Sequence, residues 1–194
     1  MLSKERIYEI LNNAGVLLEG HFLLTSGKHS DKYLQCAKIF KNAKYSEELC
    51  KDLALKFKED NINFVIGPAI GAIQMAYEIS RQIGVENIFA ERENGIMTLR
   101  RGFEIVPGNR YLIVEDVITT GGSVKEVKEI VESNGGIVAG IGCIVDRTYG
   151  KLDLKVKFES VISIDVTSYE SDKCPICEKG DMPLIKPGSR IIKN

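Results

Sequence analysis

Five short apolar runs, each continuous rather than alternating, restrict this chain more than any other feature. They are Phe64-Val65-Ile66, Ile88-Phe89-Ala90, Tyr111-Leu112-Ile113-Val114, Ile137 to Val145 and Val161-Ile162-Ser163-Ile164. A strand that is apolar at consecutive positions must be covered on both faces, which is the condition inside a parallel sheet. Helical patterns at Ile73 to Ile83 and Ser123 to Ser133 fall between some of the runs, and that alternation predicts an α/β fold. Upstream, a first helix is expected from Ser3 to Ala14, capped by Ser3, stopped by Gly15 and burying Ile7, Ile10, Leu11 and Ala14. A loop-rich stretch from Gly20 to Ser30 then leads to a short strand near Tyr33 to Cys36. A second helix is expected to start at Ser46, with Glu47 and Glu48 suiting its dipole and Leu49, Cys50, Leu53 and Phe57 facing inward. The Gly20 to Tyr45 region and the tail after Thr167 are additions around the sheet.

Composition excludes several classes of function. A chain of 194 residues, 44% of them apolar, suits one packed domain. Its 26 basic and 27 acidic side chains leave a formal charge of -1, which argues against a nucleic-acid surface and makes any anion binding local. Met1 to Arg6 runs into an amphipathic pattern without the apolar core of a signal peptide. The longest uncharged stretch, Asn61 to Tyr77, is broken by Asn, Gln, Pro and Gly and is no membrane span. The five scattered cysteines, Cys36, Cys50, Cys143, Cys174 and Cys177, read as reduced thiols of a cytoplasmic protein.

The chemistry concentrates in Tyr111 to Ser123: a buried strand, two adjacent carboxylates, small and hydroxylated residues, then a helix. Ligands of parallel sheets bind beyond the carboxyl ends of strands. Gly121 and Gly122 let the backbone approach a ligand, Thr119, Thr120 and Ser123 offer hydroxyls, and the following helix points free N–H groups at an anion. A phosphate monoester fits that cup. Glu115 and Asp116 would repel a bare anion but accept bonds from ribose hydroxyls, or act through bound Mg²⁺ and its waters. The order of parts is neither that of a Rossmann dinucleotide site nor that of a P-loop, which needs Gly-Lys-Ser/Thr. The plain alternative is a solvated strand end, a turn and a Ser123 helix cap.

Val114-Glu-Asp-Val-Ile-Thr-Thr-Gly-Gly-Ser123 resembles the phosphoribosyl-diphosphate (PRPP) motif of the type I phosphoribosyltransferases. The resemblance implies a central parallel five-stranded sheet flanked by helices, with a small N-terminal hood. It implies one domain, with residues 1–45 and the tail as hood and about 46–166 as core. It further implies that Glu115, Asp116, Val117, Ile118, Thr119, Thr120, Gly121, Gly122 and Ser123 bind PRPP. Mg²⁺ would be held mainly by PRPP, with Glu115 or Asp116 nearby, and the two acids would stabilise positive charge on the ribose. Two further segments resemble the orotate-using branch of the family: Phe22 to Tyr33, around Ser26-Gly-Lys28-His-Ser30, and Asp146-Arg147 followed by Gly150. There the resemblance implies Arg147 on the orotate carboxylate, a pairing suited to a guanidinium fork, with Thr119, Ser26 and Lys28 also at the base. A purine-using enzyme and a non-catalytic PRPP sensor are the alternatives.

The departures are specific. Thr25 stands where many orotate enzymes have a lysine, and Gly67-Pro-Ala-Ile-Gly71 lacks the lysine often found there. In the segment matching the mobile catalytic loop, Ala90 to Gly102, Arg92 matches the loop's opening arginine, while Arg100 and Arg101 are expected on a strand that follows. The family implies a homodimer whose Arg92 loop is shared between subunits, with Arg92 catalytic beside Glu115 and Asp116.

Cys174-Pro-Ile-Cys177 looks like half of a zinc knuckle, but structural zinc needs four ligands and no second pair follows. An ordinary turn, a disulfide, or zinc completed by distant residues or the partner chain remain open. His29, taken alone, reads as a loop histidine bonded locally.

Overall fold

The computed structural model describes residues 1–24 and 26–187, so Thr25 lies outside the described residues. Helix α1 (Lys4–Asn13) begins as its sequence dictates: the Ser3 hydroxyl accepts the Arg6 N–H, and Ile7, Ile10 and Leu11 are buried. The stretch expected as loop is instead largely an antiparallel hairpin, β1 (Leu17–Leu23) and β2 (His29–Leu34). Its turn closes through Leu24 N–H to Lys28 O and Gly27 N–H to Leu24 O. A register shift between Glu19 and Phe22 breaks the period-two pattern, which is why the strand is hard to see in the sequence.

The strand expected at Tyr33 to Cys36 is the end of β2, and Cys36 opens a 3-10 helix, Cys36–Lys41. Helix α2 (Ala43–Lys56) starts before Ser46 because Asn42 is the cap, its side-chain oxygen accepting the N–H groups of Lys44 and Tyr45. The expected inward face is correct: Leu49, Cys50, Leu53 and Phe57 are buried.

The core follows as β3 (Phe64–Pro68), α3 (Ile73–Ile83), β4 (Glu86–Glu93), β5 (Ile96–Leu99), β6 (Arg110–Ile118), α4 (Gly122–Ser133), β7 (Ile137–Asp146) and β8 (Phe158–Ser163). The sheet order is β5-β4-β3-β6-β7-β8. The five expected strands are its parallel members, and β5 adds an antiparallel edge strand after a two-residue turn. Asn94 and Gly95 form that turn at φ 51° and 86°. Arg100 and Arg101 lie beyond the end of β5 rather than on a strand, and they pair with Glu93 and Glu91 at 3.4 and 3.0 Å.

Both faces of the sheet are covered, as continuous apolar strands require. Leu112 and Val114 of β6 pack with α1, α2 and α3, while Tyr111 and Ile113, which alternate with them, pack with Val124, Val127 and Val131 of α4. Phe57 lies so close over β7 that a Cβ on Gly140 would meet its ring at 2.6 Å.

The tail carries a short helix α5 (Pro175–Lys179) and a two-residue strand β9 (Leu184–Ile185). Strand β9 runs parallel to β1, completing a second sheet of order β2-β1-β9. A bridge between His29 and Tyr169 and a bond from Ser30 Oγ to Thr167 O also join tail and hairpin. Among the described residues no helix is long and apolar enough to cross a membrane.

Candidate active site

Strand β6 is interior to the sheet, between β3 and β7, and delivers Glu115 and Asp116 at its carboxyl end. Both acids are half-buried rather than solvated. Glu115 Oε1 accepts the Asp116 N–H at 3.3 Å, and Asp116 Oδ1 accepts the Val117 N–H at 2.8 Å. Burial pushes the Asp116 carboxyl above the usual carboxylate range, against the lowering effect of the Val117 N–H. The loop after β3 faces it: a Cβ on Gly71 would lie 3.4 Å from both Asp116 oxygens, so a glycine keeps the space before this carboxylate open.

Beyond Ile118 the chain presents exposed Thr119 and Thr120, then Gly121 in the left-handed region at φ 74°. The positive φ favours glycine here, and a Cβ would in addition press to 2.6 Å of Leu152 Cδ2, so that side chain would have to shift. Gly121 is the N-cap of α4 and supplies no side-chain cap bond; the first helical bond runs from Lys125 N–H to Gly121 O. The N–H groups of Gly122, Ser123 and Val124 precede that bond and point out of the helix. Ser123 therefore lies inside the first turn and is not the cap that the plain alternative required. The loop gathers N–H groups and hydroxyls into a cup at the end of a buried strand, an arrangement with the donors an anion needs.

Arg147 stands next to this cup. Its N–H donates to Ile118 O at 2.9 Å, which continues the β6–β7 ladder by one residue. It does not take its neighbour's carboxylate. Asp146 Oδ1 accepts the Thr148 N–H and hydroxyl at 2.7 and 2.6 Å, and Oδ2 accepts the Gly150 N–H and Ser163 hydroxyl at 3.0 and 3.3 Å. Desolvation lowers the pKa of the Arg147 guanidinium, with Cys36, Tyr33 and Asp165 within electrostatic reach. Its Nε is buried and has no hydrogen-bond partner among the described residues. A half-buried guanidinium with a donor that no neighbour takes up can offer charge-assisted bonds to an anion.

Other expected residues are placed differently. Arg92 is exposed on β4, bonded to Gly95 O at 2.8 Å and paired with Glu126 of α4 at 2.8 Å, about one turn beyond Ser123. Ser26 is exposed in the β1–β2 turn, and Lys28 pairs with Glu170 of the tail at 2.7 Å. Among the described residues, no hydrogen bond or ion pair joins Ser26 or Lys28 to residues 116–123. Cys174 and Cys177 are free thiols, and beside them the structure sets His21 and His29, both histidines of the chain. His29 is thus buried against the tail rather than bonded locally in a loop. His21 and Gly71 carry no assignment in the sequence reading. Two histidines in 194 residues, both near the hairpin, were the available signal for the first.

The phosphoribosyl transferase domain family matches residues 36–172. A curated orotate phosphoribosyltransferase from Thermoanaerobacter sp. (strain X514) is 59% identical over 97% of this chain and 99% of its own length. One from Pelotomaculum thermopropionicum is 53% identical over 98% and 100%. Among solved structures, the orotate phosphoribosyltransferase of Aeropyrum pernix superposes with a TM-score of 0.70 at 23% identity, covering 81% of this chain and 93% of that one. An adenine phosphoribosyltransferase from Thermoanaerobacter pseudethanolicus gives 0.61 at 20% identity, over 69% and 88%. The fold is thus common to enzymes named for different bases, and these structural likenesses speak for the fold alone. The full-length sequence identities go further: the chain belongs to the phosphoribosyltransferase family and, within it, to the orotate phosphoribosyltransferases.

Proposed function

We propose that this chain transfers the 5-phosphoribosyl group of PRPP to orotate, giving orotidine 5′-monophosphate and pyrophosphate in pyrimidine biosynthesis. The observation that carries the acceptor is Arg147, a half-buried guanidinium whose Nε has no partner among the described residues, at the strand end beside the cup. Orotate has a fixed carboxylate that a guanidinium fork can hold through two bonds; a purine has none. The 5-phosphate sits on the α4 N-terminus and the hydroxyls of Thr119, Thr120 and Ser123. Glu115 and Asp116 accept from the ribose hydroxyls. With the carboxylate pinned at Arg147, orotate N1 attacks the anomeric carbon as the bond to pyrophosphate oxygen breaks, and the N1 proton leaves to water or to the departing pyrophosphate. The sugar passes through an oxocarbenium-like state that the two nearby carboxylates favour. Thr119 touches the base as well as the phosphate side, and Ser26 and Lys28 bound the orotate pocket from the hood.

The acid pair suits magnesium. Half-buried oxygen donors face an open glycine cradle at Gly71, and hard cations take oxygen ligands and keep waters. Glu115 or Asp116, together with PRPP itself, would hold the ion, and Mg²⁺ when bound neutralises charge on the departing pyrophosphate.

The working unit is a homodimer with the Arg92 hairpin shared between sites, and its five free thiols suit the cytoplasm. Exposed Ile70, Tyr77 and Ile96 give apolar surface for a second copy to cover. Mixing Arg92→Ala and Asp116→Asn subunits should restore part of the activity that each lacks alone. If no mixture recovers activity, Arg92 serves its own chain, where it already lies against Glu126.

The deciding assay follows orotate ultraviolet absorbance with protein, PRPP and MgCl₂, with adenine and uracil as parallel acceptors. We expect Mg²⁺-dependent loss of orotate with equimolar pyrophosphate. Turnover of another base in its place would overturn the acceptor, and PRPP binding without turnover of any base would leave a sensor.

A further inference from the structure

Away from the phosphate cup, four potential ligand atoms converge between hairpin and tail. His21, His29, Cys174 and Cys177 each contribute one, all within 4.8 Å of one another. Cys174 Sγ and Cys177 Sγ each lie 3.6 Å from His21 Nε2. Cys177 Sγ is 3.3 Å from His29 Nδ1, and the two ring nitrogens are 3.0 Å apart.

Hydrogen bonds do not account for this arrangement. A ring nitrogen has one lone pair or one proton, so it makes one such bond. Yet His21 Nε2 has three close partners, and His29 Nδ1 has two. A single centre explains them all as edges of one tetrahedron. With metal–sulfur bonds of about 2.3 Å and metal–nitrogen bonds of about 2.0–2.1 Å, a sulfur–nitrogen edge is about 3.6 Å and a nitrogen–nitrogen edge about 3.3 Å. The two sulfur–nitrogen edges at His21 match, while the Cys177–His29 edge of 3.3 Å and the nitrogen–nitrogen edge of 3.0 Å are slightly shorter.

The surroundings agree. His21 Nδ1 lies 3.3 Å from Met182 O, so Nδ1–H donates to that carbonyl and Nε2 keeps its lone pair for a metal. His21, His29 and Cys174 are buried and Cys177 is exposed, which gives an almost dry site with one edge at the surface. Two thiolates and two neutral imidazoles balance a divalent ion, and a tetrahedral S₂N₂ set selects zinc. Four protein ligands leave no open position, which marks a structural rather than a catalytic centre.

We propose that His21, His29, Cys174 and Cys177 form a structural zinc site that clasps the tail onto the hood hairpin. The need for a clasp is physical. A two-stranded hairpin is marginal alone, and β9 adds two residues of pairing. The zinc crosslinks segments 153 residues apart and binds the folded chain in preference to the unfolded one. It also fixes His29 next to Lys28, whose partner Glu170 belongs to the same tail. The clasp stands independently of the acceptor assigned above.

The test uses the full chain purified without chelator. Elemental analysis should find about one zinc per chain, and cobalt(II) exchange should give the visible bands of a tetrahedral thiolate site. Cys174→Ser and His21→Ala should lower bound metal to under about a tenth per chain. Cys177→Ser should do the same, and with its exposed side chain it is the variant least able to fail by misfolding. Chelation should lower the midpoint of thermal unfolding. Unmutated protein that carries no zinc and takes up no cobalt after reduction would overturn the clasp, as would zinc retained undiminished in Cys177→Ser. Fewer than five titratable thiols in unfolded, unreduced protein would replace it with a disulfide.

Discussion

Arg147→Ala should cost this enzyme about 2–5 kcal/mol of transition-state stabilisation for orotate, roughly 30- to 5000-fold in kcat/KM. The figure is that for truncating one partner of a desolvated charge pair, because the orotate carboxylate would be left buried and unpaired. The loss should be confined to the base. The backbone N–H of Arg147 donates to Ile118 O, and that bond survives a side-chain change, so the phosphate cup keeps its register. PRPP affinity, measured without orotate, should therefore stay within a few-fold of the parent. Arg147→Lys should fall between, since an ammonium cannot form the planar two-bond fork. A kcat/KM for orotate within about threefold of the parent would remove Arg147 from the base site.

Asp116→Asn should lower kcat by roughly 10²–10³-fold, the usual cost of removing one group that stabilises charge in the transition state. The same change should make the ligand-free protein more resistant to heat near neutral pH. The reason lies in linkage. The folded-state pKa of Asp116 is raised by burial above its unfolded value. Its stabilising contribution is thus complete below the unfolded pKa and is lost as pH rises through the folded one. Above the unfolded pKa the site disfavours a charge that the unfolded chain carries freely. Asparagine removes the charge and keeps an oxygen to accept the Val117 N–H, now at 2.8 Å. Melting curves of the two proteins should separate at pH 7 and converge as the acid range is entered. A variant that melts below the parent at pH 7 would show that Asp116 stabilises the fold and that its strain is not a functional one.

The parallel sheet and its cup were legible because their signals are local. Strand runs and the Tyr111 to Ser123 string are contiguous, and α3 spans Ile73–Ile83 as its pattern predicts. Helix α2 began early because a cap is one residue, and Asn42 outcompeted the Ser46 that its acidic neighbours favoured. The hairpin β1–β2 was hidden by the bulge at Glu19 to Phe22, which erases alternation over a short strand. The Cys/His cluster was half legible. Cys174 and Cys177 sit in one motif, but the histidines that join them are 145 or more residues upstream, beyond the reach of any spacing rule. The availability of Arg147 was equally out of sight, since it depends on Asp146 being occupied by Thr148, Gly150 and Ser163.

The pairing of β9 with β1 has a consequence for the order in which the molecule is finished. During synthesis β1 and β2 leave the ribosome before every strand of the core, and β9 follows them all. Until Leu184 arrives beside His21, that edge of β1 has no strand to pair with among the described residues. The hood is therefore begun early and closed late. Its first hairpin must wait, edge open, while the entire parallel sheet is translated, and the chain that started it is the same chain that seals it.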